Sequence, residues 1–494
     1  MKDLARPSSP SNKAGPATYY SEDTIAALSS AVGGAISIVR LSGKDSLKVL
    51  GQIVANGDTA GLIAGPRTAK RLLLKKGQQK LDDAVGIYFK SPASYTGEDV
   101  IELHLHGSAF VASQVLEALF EGGARPALRG EFSFRAVKNG KMTVSQAQAV
   151  SDLITSSNSE AVSLALDKME DTQARWILQL AEDIRQLAAL SEIGIDFADQ
   201  DVDEVSLPNL KRKAGEILTR VEKIAAGFER GNRIQEGVKC SLVGLPNAGK
   251  SSLFNALLGE DRAIVSEIAG TTRDVLRERL TLRGSKGQSV TFRFSDTAGL
   301  RNSSDTGDRI ERIGIERTQK AIQDSDLVLF AVDLSENSES ARRAVREQWD
   351  RMGLDSVTGA GRKPVIGILT KLDLLEPQAV AQRKQAWEKE GLAQTWFTVS
   401  STRLEGLEEL TTAIADLATQ WVRRDLGEVL LTRLEQKQAM DLAAEDLKRG
   451  INAPEIDLFA SDLKQAIHHL APLIGSTTAD DVLDRIFSQF CIGK

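Results

Sequence analysis

Gly244-Leu245-Pro246-Asn247-Ala248-Gly249-Lys250-Ser251 sets two glycines, a lysine and a hydroxyl at the spacing G-x-x-x-x-G-K-[ST]. Residues of these types at this spacing bind phosphate. The glycines let successive backbone N–H groups curl around an anion at a helix N-terminus, the lysine reaches the outer phosphates, and the hydroxyl holds Mg²⁺. The short apolar run Val238 to Val243 precedes the motif. It predicts a buried parallel strand ending at Gly244 and a helix over Ser251 to Leu258. Asn247, Ala248, Gly249, Lys250, Ser251 and Ser252 are then the phosphate-side residues of a nucleotide site.

Three further segments follow in the order a GTP-binding domain requires. Asp296-Thr297-Ala298-Gly299 closes the run Val290 to Phe294, which puts Asp296 at a strand end near Mg²⁺ and the Gly299 N–H where it can sense a γ-phosphate. Thr370-Lys371-Leu372-Asp373 closes the run Pro364 to Leu369. Asp373 can accept both the ring N–H and the exocyclic amine of guanine, a donor pair adenine lacks. Ser400-Ser401-Thr402 follows Trp396 to Val399 and supplies a loop to close over the base. The set specifies GTP rather than ATP.

Two positions depart from the common pattern. Thr370 stands where an asparagine is usual in Asn-Lys-x-Asp, so weaker base binding is expected with guanine preference kept through Asp373. Leu300 follows Gly299, where Ras-like switches carry the glutamine that orients the attacking water. Another group must therefore position that water. Asn247 offers an amide oxygen beside the phosphates, and carbonyls of the loop Ser266 to Thr272 can complete a cage for a monovalent cation. A K⁺ there would neutralise charge developing in the transition state.

These segments, together with Ile268-Ala269-Gly270-Thr271-Thr272-Arg273-Asp274, Glu311-Arg312-Ile313-Gly314-Ile315-Glu316 and the final Cys491-Ile492-Gly493-Lys494, resemble the MnmE (TrmE) family of tRNA-modifying GTPases. The resemblance runs from about Asp23 to Lys494. It implies Asn247, Ser266, Ile268 and Thr271 as K⁺ ligands, Ser251 and Thr272 on Mg²⁺, and Glu311 as the water-positioning group. It implies Cys491 as a thiol at the modification centre, and a tetrahydrofolate derivative held by Arg40, Glu102, Lys141 and Lys494. It further implies a homodimer and a partner that bears FAD and resembles MnmG (GidA), forming a heterotetramer. The joint product would carry a carboxymethylaminomethyl or aminomethyl group on C5 of the wobble uridine of certain tRNAs. The segment Ala27 to Gly34 departs from the Pro/Gly-rich loop usual in that family. A ribosome-assembly GTPase without base chemistry accounts equally for the phosphate loop, Asn247 and Leu300, but leaves the terminal Cys-Ile-Gly-Lys unexplained.

The elements that must carry these residues can be read from pattern. A chain of 494 residues is too long for one core. The expectation is an α/β P-loop GTPase domain inserted into an all-helical domain, preceded by a small α+β domain. Residues 1–18, with three prolines and several serines, read as a disordered tail. Residues 19–140 mix β-branched runs (Ala35 to Leu41, Asp99 to His104) with a helical stretch, Val111 to Phe120. Residues 141–236 and 419–494 are the two halves of the helical domain, and 237–418 the inserted G domain. In the first half Leu166, Met169, Trp176, Leu180, Ile184 and Leu187 recur at three- and four-residue steps or their multiples, as one buried stripe requires.

A net charge of −6 argues against a broad electrostatic surface for nucleic acid, so a partner is expected to supply much of the basic surface for tRNA. The cluster Arg67, Lys70, Arg71, Lys75, Lys76 and Lys80 is the local exception. No apolar stretch is long enough for a membrane span or signal peptide, and bacterial cytoplasm is the expected location. Cys240 and Cys491, the only cysteines, are too few for a disulfide framework; Cys240 is expected to be a small buried hydrophobe. His104, His106, His468 and His469 are expected to serve packing and local hydrogen bonds.

Overall fold

The computed structural model describes residues 19–31, 33–57, 59–196, 206–259, 264–265, 279–294, 316, 318–357, 363–425, 428–474, 486–488, 490 and 492–493. The chain forms two compact units, Met1–Ser151 with Gly475–Lys494, and Asp152–Ile474.

The first unit is α+β. Its strands are β1 (Ile25–Leu28), β2 (Ile36–Ser42), β3 (Lys70–Lys76), β4 (Gln79–Phe89), β5 (Val100–His106) and β6 (Arg125–Pro126), in the spatial order β3-β4-β5-β2-β1-β6. Neighbours run antiparallel except β1 and β6. Alternation sends Val39, Leu41, Ile101, Leu103 and Leu105 to one face, where they share a core with residues of the helices Ser46–Ile53 and Ala109–Glu121. Arg40, Glu102 and His104 occupy the opposite face. Ser108 starts the second helix by accepting a hydrogen bond from the Val111 N–H.

The last described residues belong to this unit. Phe487 and Phe490 pack with Phe134 and Ala147, Ile492 bridges to Arg129, and the Ser29 hydroxyl donates to the Gly493 carbonyl at 3.0 Å. The pattern-based helix ends with Ile456–Leu470 and a short turn, Ala471–Ile474. The aromatic residues beyond are attracted to an aromatic cluster in the first unit.

The second unit holds a seven-stranded sheet and helices that surround it in sequence. Its strands are β7 (Val238–Gly244), β8 (Ile264–Val265), β9 (Arg279–Arg283), β10 (Ser289–Phe294), β11 (Leu327–Asp333), β12 (Val365–Thr370) and β13 (Thr395–Thr398), ordered β13-β12-β11-β7-β10-β9-β8. β7, β10, β11, β12 and β13 are parallel, and β9 and β8 add an antiparallel edge. The buried parallel strands read as unbroken apolar runs because helices cover both faces.

The helices Thr172–Asp196, Leu207–Ala226, Leu434–Asn452 and Ile456–Leu470 contribute to one core, so residues before and after the sheet complete each other. The α/β domain is therefore an insertion in a helical domain. The single stripe expected along the first half breaks. Leu180, Ile184 and Leu187 are buried, whereas Leu166, Met169 and Trp176 are exposed. The helix Ser159–Met169 stops before Asp171, which has φ 57°, and a new helix starts at Thr172. The break resets the helical phase, and Ala161, Leu164, Ala165 and Lys168 become the buried side of the first piece. Lys168 is accommodated there because its Nζ lies 2.8 Å from Asp152 and 2.6 Å from the Thr432 hydroxyl.

Candidate functional site

The phosphate loop leaves β7 and enters the helix Lys250–Gly259. Asn247 (φ 62°) and Gly249 (φ 76°) adopt left-handed backbone, which asparagine tolerates and glycine prefers. A Cβ on Gly249 would also lie 3.3 Å from Thr370 Oγ1, so glycine meets both a conformational and a steric demand. Lys250 folds back, its Nζ donating to the carbonyls of Gly244 (3.0 Å) and Leu245 (2.7 Å). Burial holds this ammonium below its usual range, because the charged form has lost water. A polyanion at the loop would favour the charge that burial disfavours. Asn247, Ser251 and Ser252 are exposed around it and Ala248 is buried. These features fit the phosphates of a nucleotide, with Ser251 the described residue suited to Mg²⁺.

On the base side, β12 ends at Thr370, which is only 1% exposed. Its hydroxyl lies 2.9 Å from the Ala248 carbonyl and 3.1 Å from the Val332 carbonyl; one O–H donates to one of them at a time. This hydroxyl ties the phosphate loop to the sheet. Lys371 follows with φ 60° and opens the turn Leu372–Leu374, which carries Asp373. Asp373 Oδ1 accepts from the buried Ser400 hydroxyl at 2.7 Å. That bond holds the Asp373 carboxyl below its ordinary range, so it is an acceptor at neutral pH. The Leu372 N–H donates to the Val399 carbonyl at 3.3 Å, and this brings Lys371, Asp373 and Ser400 together.

Sequence reasoning missed β11 and what stands at its end. Asp333 Oδ2 lies 2.5 Å from Lys371 Nζ, and Asp333 Oδ1 accepts from the Ser335 N–H (2.9 Å) and hydroxyl (2.6 Å). Arg383 donates to the carbonyls of Leu334 and Ser335, each at 2.7 Å. The unbroken run Leu327 to Val332 ending in an acid was the available signal.

In the first unit the sheet register places Arg40 opposite Glu102. The Arg40 guanidinium donates to Glu102 Oε1 at 3.0 and 2.8 Å and lies over the rings of Tyr95 (5.3 Å) and Phe132 (5.6 Å). Neither ring was foreseen from sequence. Lys141 is exposed, with its stem beside Gly97 of the loop that carries Tyr95. A paired cation and carboxylate beside aromatic faces fits a ligand having both an aromatic ring and an acidic tail.

Ser266, Ile268, Thr271, Thr272, Asp296, Thr297, Ala298, Gly299, Leu300, Glu311, Cys491, Lys494 and residues 1–18 lie outside the described residues. The basic cluster of the first unit is partly neutralised: Arg71 pairs with Asp83, and Lys76 with Glu117 and Glu121. Cys240 is buried, and that burial pushes its thiol up, out of the reactive range. His106 Nδ1 meets Asp82 at 2.6 Å and His469 Nε2 lies 3.4 Å from Asp446, in keeping with local roles. No helix among the described residues is long and apolar enough to cross a membrane.

Comparison with known proteins extends this geometry. The model of the MnmE helical domain matches residues 144–491, and that of the GTP-binding protein TrmE N-terminus matches residues 24–141. The tRNA modification GTPase MnmE of Christiangramia forsetii is 35% identical over 96% of this chain and 99% of its own. The tRNA modification GTPase MnmE of Moorella thermoacetica is 37% identical over 96% of this chain and 100% of its own. Among solved structures, the G domain of the T. maritima FeoB iron transporter is 27% identical. It covers 37% of this chain and 98% of that one, with a TM-score of 0.23.

Proposed function

Because the chain belongs to the MnmE (TrmE) family, whose members are P-loop GTP hydrolases of tRNA modification, we propose that it couples GTP hydrolysis to modification of the wobble uridine at C5. The group added is a carboxymethylaminomethyl or aminomethyl group. The observation that carries this reading is the match over 96% of the chain, which takes in the helical and N-terminal parts as well as the nucleotide-binding sheet.

In this reading Lys250 and the N–H groups of Ala248 to Ser252 hold the phosphates, Asp373 accepts from guanine, and Thr370, Lys371 and Ser400 support it. Ser251 and Thr272 hold Mg²⁺, with Asp296 to Gly299 on the γ-phosphate side. Asn247, Ser266, Ile268 and Thr271 hold a K⁺ that stimulates hydrolysis by neutralising charge in the transition state. Glu311 positions the attacking water in place of Leu300. Arg40, Glu102, Lys141 and Lys494 hold a tetrahydrofolate derivative, which supplies one carbon, and Cys491 acts at the modification centre. The working form is a cytoplasmic homodimer that binds tRNA together with an FAD-bearing, MnmG (GidA)-like partner in a heterotetramer. The proposed domains are 19–140, a helical domain of 141–236 with 419–494, and a G domain of 237–418.

The test is nucleoside mass spectrometry of tRNA from cells lacking this protein, complemented by the intact chain or by Cys491→Ser. Loss of the wobble-uridine modification, restored by the intact chain and not by the variant, is the expected result. Unchanged tRNA with accumulating ribosomal precursors would instead make the chain an assembly GTPase.

A further inference from the structure

Two features of the base-recognition loop need a physical cause. Lys371, a residue with a Cβ, holds φ 60° and ψ 34° at the entry to the turn that carries Asp373. L-residues avoid this region, and surroundings must enforce it. The amide that usually cross-links such a loop is also absent, since Thr370 uses its hydroxyl on Ala248 or Val332.

The tie comes from the neighbouring strand. Parallel pairing sets Asp333 of β11 beside Thr370 of β12, so the Asp333 carboxylate stands next to the first residue of the loop. Its Oδ2 lies 2.5 Å from Lys371 Nζ, with the side chains 18% and 35% exposed. The other oxygen is filled by two donors of Ser335, which stops the carboxylate from turning. Ser335 in turn belongs to a segment whose carbonyls accept from Arg383. Desolvation would raise the Asp333 carboxyl, but the hydrogen bonds from Lys371 and Ser335 outweigh it and hold the group below its ordinary range. The carboxylate is thus charged throughout the neutral range. On the far side of the turn Ser400 holds Asp373. The loop is clamped at both ends, by Asp333 at Lys371 and by Ser400 at Asp373.

We propose that Asp333 is a positioning residue for guanine recognition: through its ion pair with Lys371 it fixes the left-handed entry to the turn and so aims Asp373 at the base. Asp333 touches no nucleotide itself. It supplies, through charge, the restraint that a loop amide supplies elsewhere. The inference rests on the GTPase reading.

The experiment measures dissociation constants of the full-length protein for GDP and for IDP, whose base lacks the exocyclic amine that Asp373 accepts. The unaltered chain, Asp333→Asn and Asp333→Glu are compared, with thermal midpoints recorded alongside. Asp333→Asn removes the charge at constant shape. It is expected to weaken GDP by about fivefold and IDP by less, so the preference for GDP over IDP narrows. Asp333→Glu is expected to recover part of that preference. Equal weakening of both nucleotides with a lowered midpoint would reduce Asp333 to a structural role and overturn the inference, as would an unchanged ratio. Failure of the unaltered chain to prefer guanine nucleotides would overturn the GTPase reading instead, which keeps the two outcomes apart.

Discussion

Replacing Thr370 by valine keeps the shape of the side chain and removes one hydroxyl. The site is 1% exposed, so water cannot take the place of the lost donor. The single O–H is shared between carbonyls at 2.9 and 3.1 Å, so one hydrogen bond disappears and one buried carbonyl loses a partner. That is worth about 1–2 kcal/mol. No cavity opens, because valine is close to isosteric with threonine, and no packing cost is added. The bond already exists without nucleotide, so most of the loss should fall on folding rather than on binding. At about 2–4 °C per kcal/mol for a domain of this size, the thermal midpoint of Thr370→Val should fall by roughly 2–8 °C. GDP affinity should drop only about two- to threefold, because β7 and the helix Lys250–Gly259 still shape the phosphate loop. Thr370→Ser, which keeps the donor, should retain most of the affinity. Calorimetry and fluorescent-GDP titration measure both quantities. An unchanged midpoint would show that the tie is energetically idle; a loss of affinity beyond about thirtyfold at constant midpoint would mean that Thr370 meets the nucleotide directly.

Lys168→Met should destabilise the second unit by about 2 kcal/mol in urea unfolding. That is less than a fully orphaned carboxylate would cost, because Arg433 still reaches Asp152 Oδ1 at 3.1 Å; replacing Asp152 by leucine in the same chain should recover part of the loss. In the first unit, hydrogen bonds from Arg125 lower the Asp23 carboxyl to about 2. A depressed carboxyl contributes stability above the unfolded value near 4 and loses it as pH falls toward 2. Asp23→Asn should therefore flatten acid unfolding in that window. Because Asp23 is largely solvent-screened, the contribution removed at neutral pH is no more than ~1 kcal/mol, and an unaltered acid limb would contradict the assignment. Gly493→Ala places a Cβ 2.1 Å from the Leu28 carbonyl on a backbone with φ 92°. It should lower the thermal midpoint of the first unit and depress tRNA modification while leaving GTP hydrolysis intact, and an unchanged midpoint would refute the packing of Gly493 against Leu28.

Legibility followed the range of the interactions. The phosphate loop could be read because its chemistry depends on eight consecutive residues, Gly244 to Ser251, and strands buried on both faces announce themselves as apolar runs. The same rule made β11 readable in principle, and its omission hid Asp333. The pairing of two helical segments across an inserted sheet was legible because neither segment carries enough apolar surface to close a core alone. The phase of the stripe around Leu166 to Leu187 was not, because one left-handed residue, Asp171, resets it and no short-range pattern marks that residue.

Spacing along the chain alone determined the nucleotide class: the glycines, Lys250, Ser251 and Asp373 are of types that phosphate and guanine require, and local backbone geometry brings each set together. Only the tertiary structure decided what those residues lean on. Thr370 bonds Ala248 across 122 residues, Asp333 reaches Lys371 across 38, and Arg40 meets Glu102 across 62. The last two contacts follow from strand register, which sets Asp333 beside Thr370 and Arg40 opposite Glu102. Hydrogen-bonded ladders decide them over distances at which one sequence position carries no mark of its partner.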